Sequence, residues 1–133
     1  MKVLALDFGL KRIGVAIGSS DIQIAFARTT LQNNESGMIQ LAKEITNENI
    51  ETIIIGNPVQ QSGEDSPIID DIHTFYDLLT KYFPHISIQL YNEQYSTKIA
   101  EKRTRTKKNP FNKGILIDSY AAQVFLENFL TGL

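Results

Sequence analysis

The sequence predicts an α/β fold in which a five-stranded mixed sheet carries helices on both faces. The chain has 133 residues, which is enough for a single domain, 1–133, with a substantial core. Apolar runs of strand length alternate with segments of helical spacing in the order βββαβα, then β and a final helical region. Short turns join the first three strands, whereas helical crossovers separate the later ones. We therefore expect strands one, four and five to be parallel, with strands two and three antiparallel beyond strand one.

The first two strands form a predicted hairpin. Residues 3–6 are an apolar run that ends in Asp7, a turn with Gly9 follows, and residues 13–17 return. Alternate positions of the second strand differ in size: the isoleucines and valine lie on one face, and Gly14, Ala16 and Gly18 lie on the other. The small face predicts close packing of a helix against the sheet. The third strand is predicted at residues 24–31.

The later elements follow from caps and periodicity. Ser36 is the predicted cap of a helix whose apolar face is Met38, Leu41, Ala42 and Ile45. The β-branched run 51–55 predicts a central parallel strand. Ser66 and Pro67 predict the start of a second helix, which Pro84 ends. Residues 86–91 alternate as in a strand near the sheet edge, and the last helix is predicted at 115–130.

Composition excludes several classes of protein. The chain has no cysteine, which excludes a disulfide framework and a thiolate metal site. No apolar stretch approaches the roughly 20 residues that span a bilayer. The apolar part of the N-terminal segment is too short for a signal peptide. We therefore expect a cytoplasmic location.

Charge is unevenly distributed along the chain. Residues 98–113 contain one acid and seven basic residues, whereas the remainder has six basic and fourteen acidic residues. The seven basic residues are Lys98, Lys102, Arg103, Arg105, Lys107, Lys108 and Lys113. Two interpretations stay open: a solvated loop, or a surface that contacts nucleic-acid phosphates.

Three carboxylates are candidates for one site. Asp7 ends the first strand, Glu93 ends the fifth, and parallel strands present their carboxyl ends at the same sheet edge. Asp118 begins a helix that is apolar on most sides, where an unpaired carboxylate would be costly. The structural alternatives are a turn residue for Asp7, an exposed strand end for Glu93, and a helix cap or lysine partner for Asp118.

The chemistry of these three side chains suits a hard cation. Oxygen ligands without histidine or cysteine favour Mg²⁺ or Mn²⁺, and converging carboxylates commonly hold two ions about 4 Å apart for phosphoryl transfer. His73 and His85 are interpreted as surface residues.

Four segments resemble one known family. They are Leu6-Asp-Phe-Gly-Leu-Lys-Arg-Ile-Gly-Val-Ala16, Gly56-Asn-Pro-Val-Gln-Gln-Ser-Gly63, Asn92-Glu-Gln-Tyr-Ser-Thr97 and Lys113-Gly-Ile-Leu-Ile-Asp-Ser-Tyr-Ala-Ala122. Together they are similar to the motifs of the YqgF family of RuvC-like nucleases, which are called Holliday junction resolvases or pre-16S rRNA nucleases. The resemblance covers essentially the whole chain, and its first and last motifs are the specific ones.

The resemblance implies an RNase H-like fold with strand order 3-2-1-4-5, and it implies that Asp7, Glu93 and Asp118 bind metal. The glycines and proline that match its motifs are Gly9, Gly14, Gly56, Pro58, Gly63 and Gly114. Asn92 and Gln94 depart from the family, which usually has Asp and Arg there. The missing arginine would have been a phosphate clamp or a partner for Glu93.

The leading hypothesis is a metal-dependent endonuclease acting on structured nucleic acid, either precursor 16S rRNA in ribosome biogenesis or a branched DNA junction. Lys11 and Arg12 would contact phosphate or orient Asp7, and the basic segment would hold the substrate backbone. Monomer and homodimer both stay open, as does association with the pre-ribosome. The alternative is a non-catalytic nucleic-acid-binding or ribosome-assembly factor on a nuclease scaffold. An ATPase is disfavoured because the chain is too short for two lobes.

Overall fold

The computed structural model describes residues 1–58, 68–93 and 114–132, which form five strands and three helices. In chain order these are β1 (Lys2–Phe8), β2 (Arg12–Ser19), β3 (Ile24–Gln32), α1 (Glu35–Asn47), β4 (Thr52–Pro58), α2 (Ile69–Tyr82), β5 (Ser87–Glu93) and α3 (Ile117–Thr131). None of the helices in these ranges is long and apolar enough to cross a membrane.

One sheet contains all five strands, in the order β3-β2-β1-β4-β5. β1 pairs antiparallel with β2 and parallel with β4, and β4 pairs parallel with β5. The predicted order and directions are therefore confirmed. The parallel strands β1, β4 and β5 end at the same edge of the sheet, which is where ligands of such sheets collect.

Helices cover both faces of the sheet. Leu4 and Leu6 of β1 face the first core cluster, to which the buried side chains of α1 and α2 belong. Val3 and Ala5 face the second, which is filled by Phe125 and other side chains of α3. The small face of β2 lies under α3, as predicted: Ala16 belongs to the second cluster, and the position of a Gly18 Cβ lies 2.8 Å from Leu130 Cδ1.

The start of α1 differs from the prediction. Asn34, not Ser36, is the N-cap, and its Oδ1 accepts a hydrogen bond of 2.9 Å from Gly37 N. Gly37 packs so closely on the carbonyl of Gln32 that a Cβ there would collide with it. This contact with the end of β3 fixes where the helix begins, and Ser36 falls inside its first turn.

In α2, Ile72, Phe75 and Leu79 are buried as the periodicity predicted, but Tyr82 is 68% exposed. The chain turns after Tyr82, and Phe83 packs on the first cluster instead. The predicted helix start at Ser66 and Pro67 lies outside the described residues.

Arg28 of β3 is held by acids of α1. Its Nε lies 2.9 Å from Glu44 Oε1, and its Nη2 lies 3.6 Å from Glu48 Oε1. Burial raises the pKa of Glu44, and the Arg28 charge opposes that rise. Arg28 therefore serves the contact between α1 and the sheet, and we do not count it among the candidate phosphate ligands.

Candidate active site

Close packing on Gly14 places the first turn of α3, which carries Asp118, against the strand beside Asp7. Asp7 pairs with Gly14 across β1 and β2, so both residues project to the face that α3 covers. A Cβ at Gly14 would collide with the carbonyl of Asp118 and lie 2.7 Å from Ser119 N. Only a glycine lets the first turn of α3 rest on the strand here. The two half-buried carboxylates are thus carried by neighbouring backbone segments.

A β-bulge in β3 leaves room for the start of α3 to bond to β2. The pairing of β2 with β3 shifts from Ile13↔Leu31 to Val15↔Arg28, which places an extra residue in β3. Val15 N donates instead to the Oγ of Ser119, at 3.0 Å. Ser119 is completely buried, so this bond also satisfies a hydroxyl that would be costly to leave unpaired.

Thr30, in the bulged part of β3, holds the start of α3 from the other side. Its Oγ1 lies 2.7 Å from Ser119 Oγ and accepts a hydrogen bond of 2.9 Å from Leu116 N. Its own N–H donates to the carbonyl of Gly114, at 2.7 Å, and Gly114 has a φ of 80° that favours glycine. Three bonds therefore fix the residues on either side of Asp118.

We expect Thr30→Val to lower the free energy of unfolding by about 1–2 kcal/mol, because Leu116 N–H and the buried Ser119 Oγ each lose a hydrogen-bond partner. Chemical denaturation measures this loss. The matched control is Thr29→Val, since Thr29 is exposed and none of the described hydrogen bonds involves its hydroxyl. Equal stability of the two variants would contradict a role for Thr30 in holding α3.

The turn after Asp7 is held by Asn33. Gly9 N donates to the carbonyl of Arg12, at 2.9 Å, which closes the turn. Asn33 Nδ2 donates to the carbonyl of Gly9, at 2.7 Å, and Asn33 N donates to that of Lys11, at 2.9 Å. Sequence reasoning missed Asn33, Thr30 and Ser119 as positioning residues. The sequence offered one weak signal of this role: Thr30 and Asn33 are polar residues near the end of β3, and Ser119 is a polar residue on an otherwise apolar helix.

Arg12 forms an ion pair with Asp118. Arg12 Nε lies 3.2 Å from Asp118 Oδ2, and the two side chains are 44% and 26% exposed. Lys11, one residue earlier, is exposed and forms none of the described ion pairs. A guanidinium at this carboxylate shows that the position favours a positive charge. Together with the oxygen donors of Asp7 and Asp118, this fits a site for a divalent cation.

A family profile described as "RuvX: Holliday junction resolvase" matches residues 1–132. The chain belongs to the RuvX family. Similar proteins include a "Putative pre-16S rRNA nuclease" of Flavobacterium psychrophilum, 31% identical over 98% of this chain and 96% of that protein. A protein of the same name from Karelsulcia muelleri is 32% identical over 97% of both. The predicted family is thereby confirmed.

Solved resolvase structures share the fold of this RuvX-family chain. RuvC of Thermus thermophilus, solved with a Holliday junction substrate, superposes with a TM-score of 0.58 at 11% identity, covering 99% of this chain and 94% of that one. The resolvase of Fowlpox virus, also solved with junction DNA, gives a TM-score of 0.53 at 16% identity, covering 98% and 99%. The predicted RNase H-like fold is confirmed.

Glu93 is the last residue of β5, where its backbone pairs with Pro58. It lies two positions after Tyr91, which stacks on Phe125 of α3 with ring centroids 5.9 Å apart. β4 lies between β1 and β5, so about 10 Å separates the strands that carry Asp7 and Glu93. The side chain of Glu93 lies outside the described part. Among the described side chains, no group of three His, Cys, Asp or Glu could hold a metal ion. Convergence of all three acids stays a prediction.

Asn92 links the ends of two strands. Asn57 Nδ2 donates to Asn92 Oδ1, at 3.0 Å, across the carboxyl ends of β4 and β5. Asn92, one of the two residues that depart from the YqgF pattern, thus links β5 to β4 at the position before Glu93. Gln94, Gly63 and the basic residues of 98–113 lie outside the described residues, so their predicted roles stay predictions.

A cavity of about 550 Å³ lies between α1 and α2. Its lining includes Met38, Ile39, Leu78 and Tyr82, and no candidate site residue contributes to it. It lies on the opposite face of the sheet from α3, so it is separate from the candidate active site.

Proposed function

We propose that this RuvX-family chain is a metal-dependent endonuclease acting on structured nucleic acid. One observation carries the proposal: the backbone of Asp118 packs on Gly14, and Gly14 pairs with Asp7 across β1 and β2. Thr30, in the bulged part of β3, holds the start of α3 in this position. Two acids more than one hundred positions apart are thereby fixed at the edge of the sheet where β5 ends in Glu93. The guanidinium of Arg12, 3.2 Å from Asp118, supports the proposal that this position attracts a cation.

We propose that Asp7, Glu93 and Asp118 hold Mg²⁺ or Mn²⁺, as two ions. Bound divalent cations would polarise the phosphate and lower the pKa of water to generate a nucleophile. The contribution of the chain is to hold the acids in place. The Ser119 and Thr30 bonds fix the backbone of Asp118, and the Asn33 bonds fix the turn after Asp7.

We propose precursor 16S rRNA as the first substrate to test, in the maturation of its 5′ end, because the relatives similar over nearly their whole length carry that name. The family description and the fold relatives support a DNA four-way junction as the second. Lys11 and the basic residues of 98–113 would hold the phosphate backbone, in the cytoplasm and in contact with the pre-ribosome. The alternative, a non-catalytic assembly factor, is favoured by Gln94 in place of the family's Arg.

The test is cleavage of a four-way DNA junction and of precursor 16S rRNA side by side, with Mg²⁺, with Mn²⁺ and with a chelator. We expect cleavage of at least one substrate with metal, none with the chelator, and none by the Asp7→Asn control. Salt-sensitive binding of either substrate without cleavage would instead establish the assembly factor.

A further inference from the structure

We propose that Arg12 is a positioning residue that occupies Asp118 while the protein is free of metal and moves to a substrate phosphate when a cation takes the carboxylate. Arg12 would thereby couple the binding of metal to the binding of nucleic acid. This inference rests on the proposed function, since it concerns the same carboxylate.

The geometry of the ion pair suits a temporary contact. Arg12 is the first residue of β2, directly after the turn that begins at Gly9, and its side chain is 44% exposed. It meets Asp118 through Nε alone, at 3.2 Å, and its two terminal nitrogens have no partner among the described hydrogen bonds. Breaking one partly exposed contact is cheap, because such pairs stabilise proteins only weakly.

Arg12 is the side-chain partner of Asp118 among the described hydrogen bonds and ion pairs. Asp118 lies in the first turn of α3, where its charge favours the helix dipole, but the N-cap of the helix is Leu116, whose N–H is bonded to Thr30 Oγ1. The helix position comes from Ser119 and Thr30. The Asp118 carboxylate is therefore available to whichever cation binds it better. A guanidinium and a divalent ion cannot share it without strong repulsion.

A displaced Arg12 has a defined alternative partner. The guanidinium presents a planar fork of donors that matches a phosphate in two parallel hydrogen bonds. Lys11 adds a second charge at the same turn. A phosphate that holds Arg12 removes the competitor for Asp118, so each ligand strengthens the other by the same factor.

The first experiment measures Mn²⁺ binding by titration calorimetry, without nucleic acid. We expect Arg12→Gln to bind Mn²⁺ about 3- to 10-fold more tightly than the unmodified protein, since the lost pair is a weak, partly exposed one. Lys11→Gln, which removes the same charge one residue away, should stay within about 2-fold of it. Arg12→Lys keeps the charge but lacks the planar guanidinium, so its Mn²⁺ affinity should lie between those of the unmodified protein and Arg12→Gln.

The second experiment measures binding of a labelled four-way DNA junction by fluorescence anisotropy, in Ca²⁺ and in a chelator. We expect Ca²⁺ to tighten binding of the unmodified protein, and we expect Arg12→Gln to lose most of that gain. Lys81→Gln, which removes a charge from the exposed side of α2, should keep the gain. An Mn²⁺ affinity of Arg12→Gln equal to or weaker than that of the unmodified protein would overturn the inference and leave the proposed nuclease intact. Absence of Mn²⁺ binding by the unmodified protein would overturn both.

Discussion

The Asp118→Asn substitution is expected to lower the rate of phosphodiester cleavage by about 1000-fold, a loss equivalent to several kcal/mol of transition-state stabilisation. Asparagine has the shape of aspartate but no charge, so it cannot balance a divalent cation. The fold should persist, because Ser119 and Thr30, not the carboxylate, fix the start of α3. We expect Asp7→Asn to lose a similar factor, since its strand position is set by pairing with Gly14 and β4.

Single-turnover cleavage assays and thermal denaturation of the same preparations measure both effects. Asp77→Asn is the matched control, because Asp77 is exposed on α2, away from the α3 face, and should cleave at the unmodified rate. Undiminished cleavage by Asp7→Asn and Asp118→Asn would refute the assignment of the metal site.

The Gly14→Ala substitution is expected to destabilise the protein by on the order of 3 kcal/mol and to reduce cleavage by about 100-fold in the molecules that remain folded. The added methyl group would collide with the backbone carbonyl of Asp118, and no flexible side chain can yield to it. Helix α3 must therefore rise from β2, which stretches the bond from Val15 N to Ser119 Oγ and moves Asp118 away from Asp7.

Urea denaturation monitored by circular dichroism gives the stability change. Gly132→Ala serves as the control, because Gly132 is at the end of α3 with a φ of −87° that alanine adopts readily. Its stability should change by less than about 1 kcal/mol. A Gly14→Ala protein as stable and active as the control would show that α3 does not depend on this contact.

The sheet could be predicted from the sequence because each connection restricts the topology. Turns of a few residues leave β1, β2 and β3 only an antiparallel meander, and the helical crossover to β4 requires a parallel strand. The small face of Gly14, Ala16 and Gly18 also predicted correctly that a helix would pack there. These features follow from local chain length and side-chain size.

The details that hold the site in place depend on tertiary contacts. Ser36 and Asn34 are equally capable helix caps in sequence, and the packing of Gly37 on Gln32 decides between them. The bulge shifts the alternation of β3, so that Ala25 faces the second core cluster and Leu31, six residues later, faces the first. The two adjacent threonines give no sign in sequence of where this shift occurs, so the network of Thr30 and Ser119 was not predicted. The sequence predicted that Arg12 would bind either a substrate phosphate or an acid of the site. The structure pairs it with Asp118, 106 residues away, whereas the sequence predicted Asp7 as that acid.

The order of elements along the chain has a consequence for synthesis. All five strands precede α3, so every residue of the sheet is synthesised before Asp118. The part of α3 that rests on Gly14 and bonds to Thr30 is added only after the strands that hold it. A nascent chain that stops before α3 therefore contains every strand of the sheet but an incomplete candidate metal site.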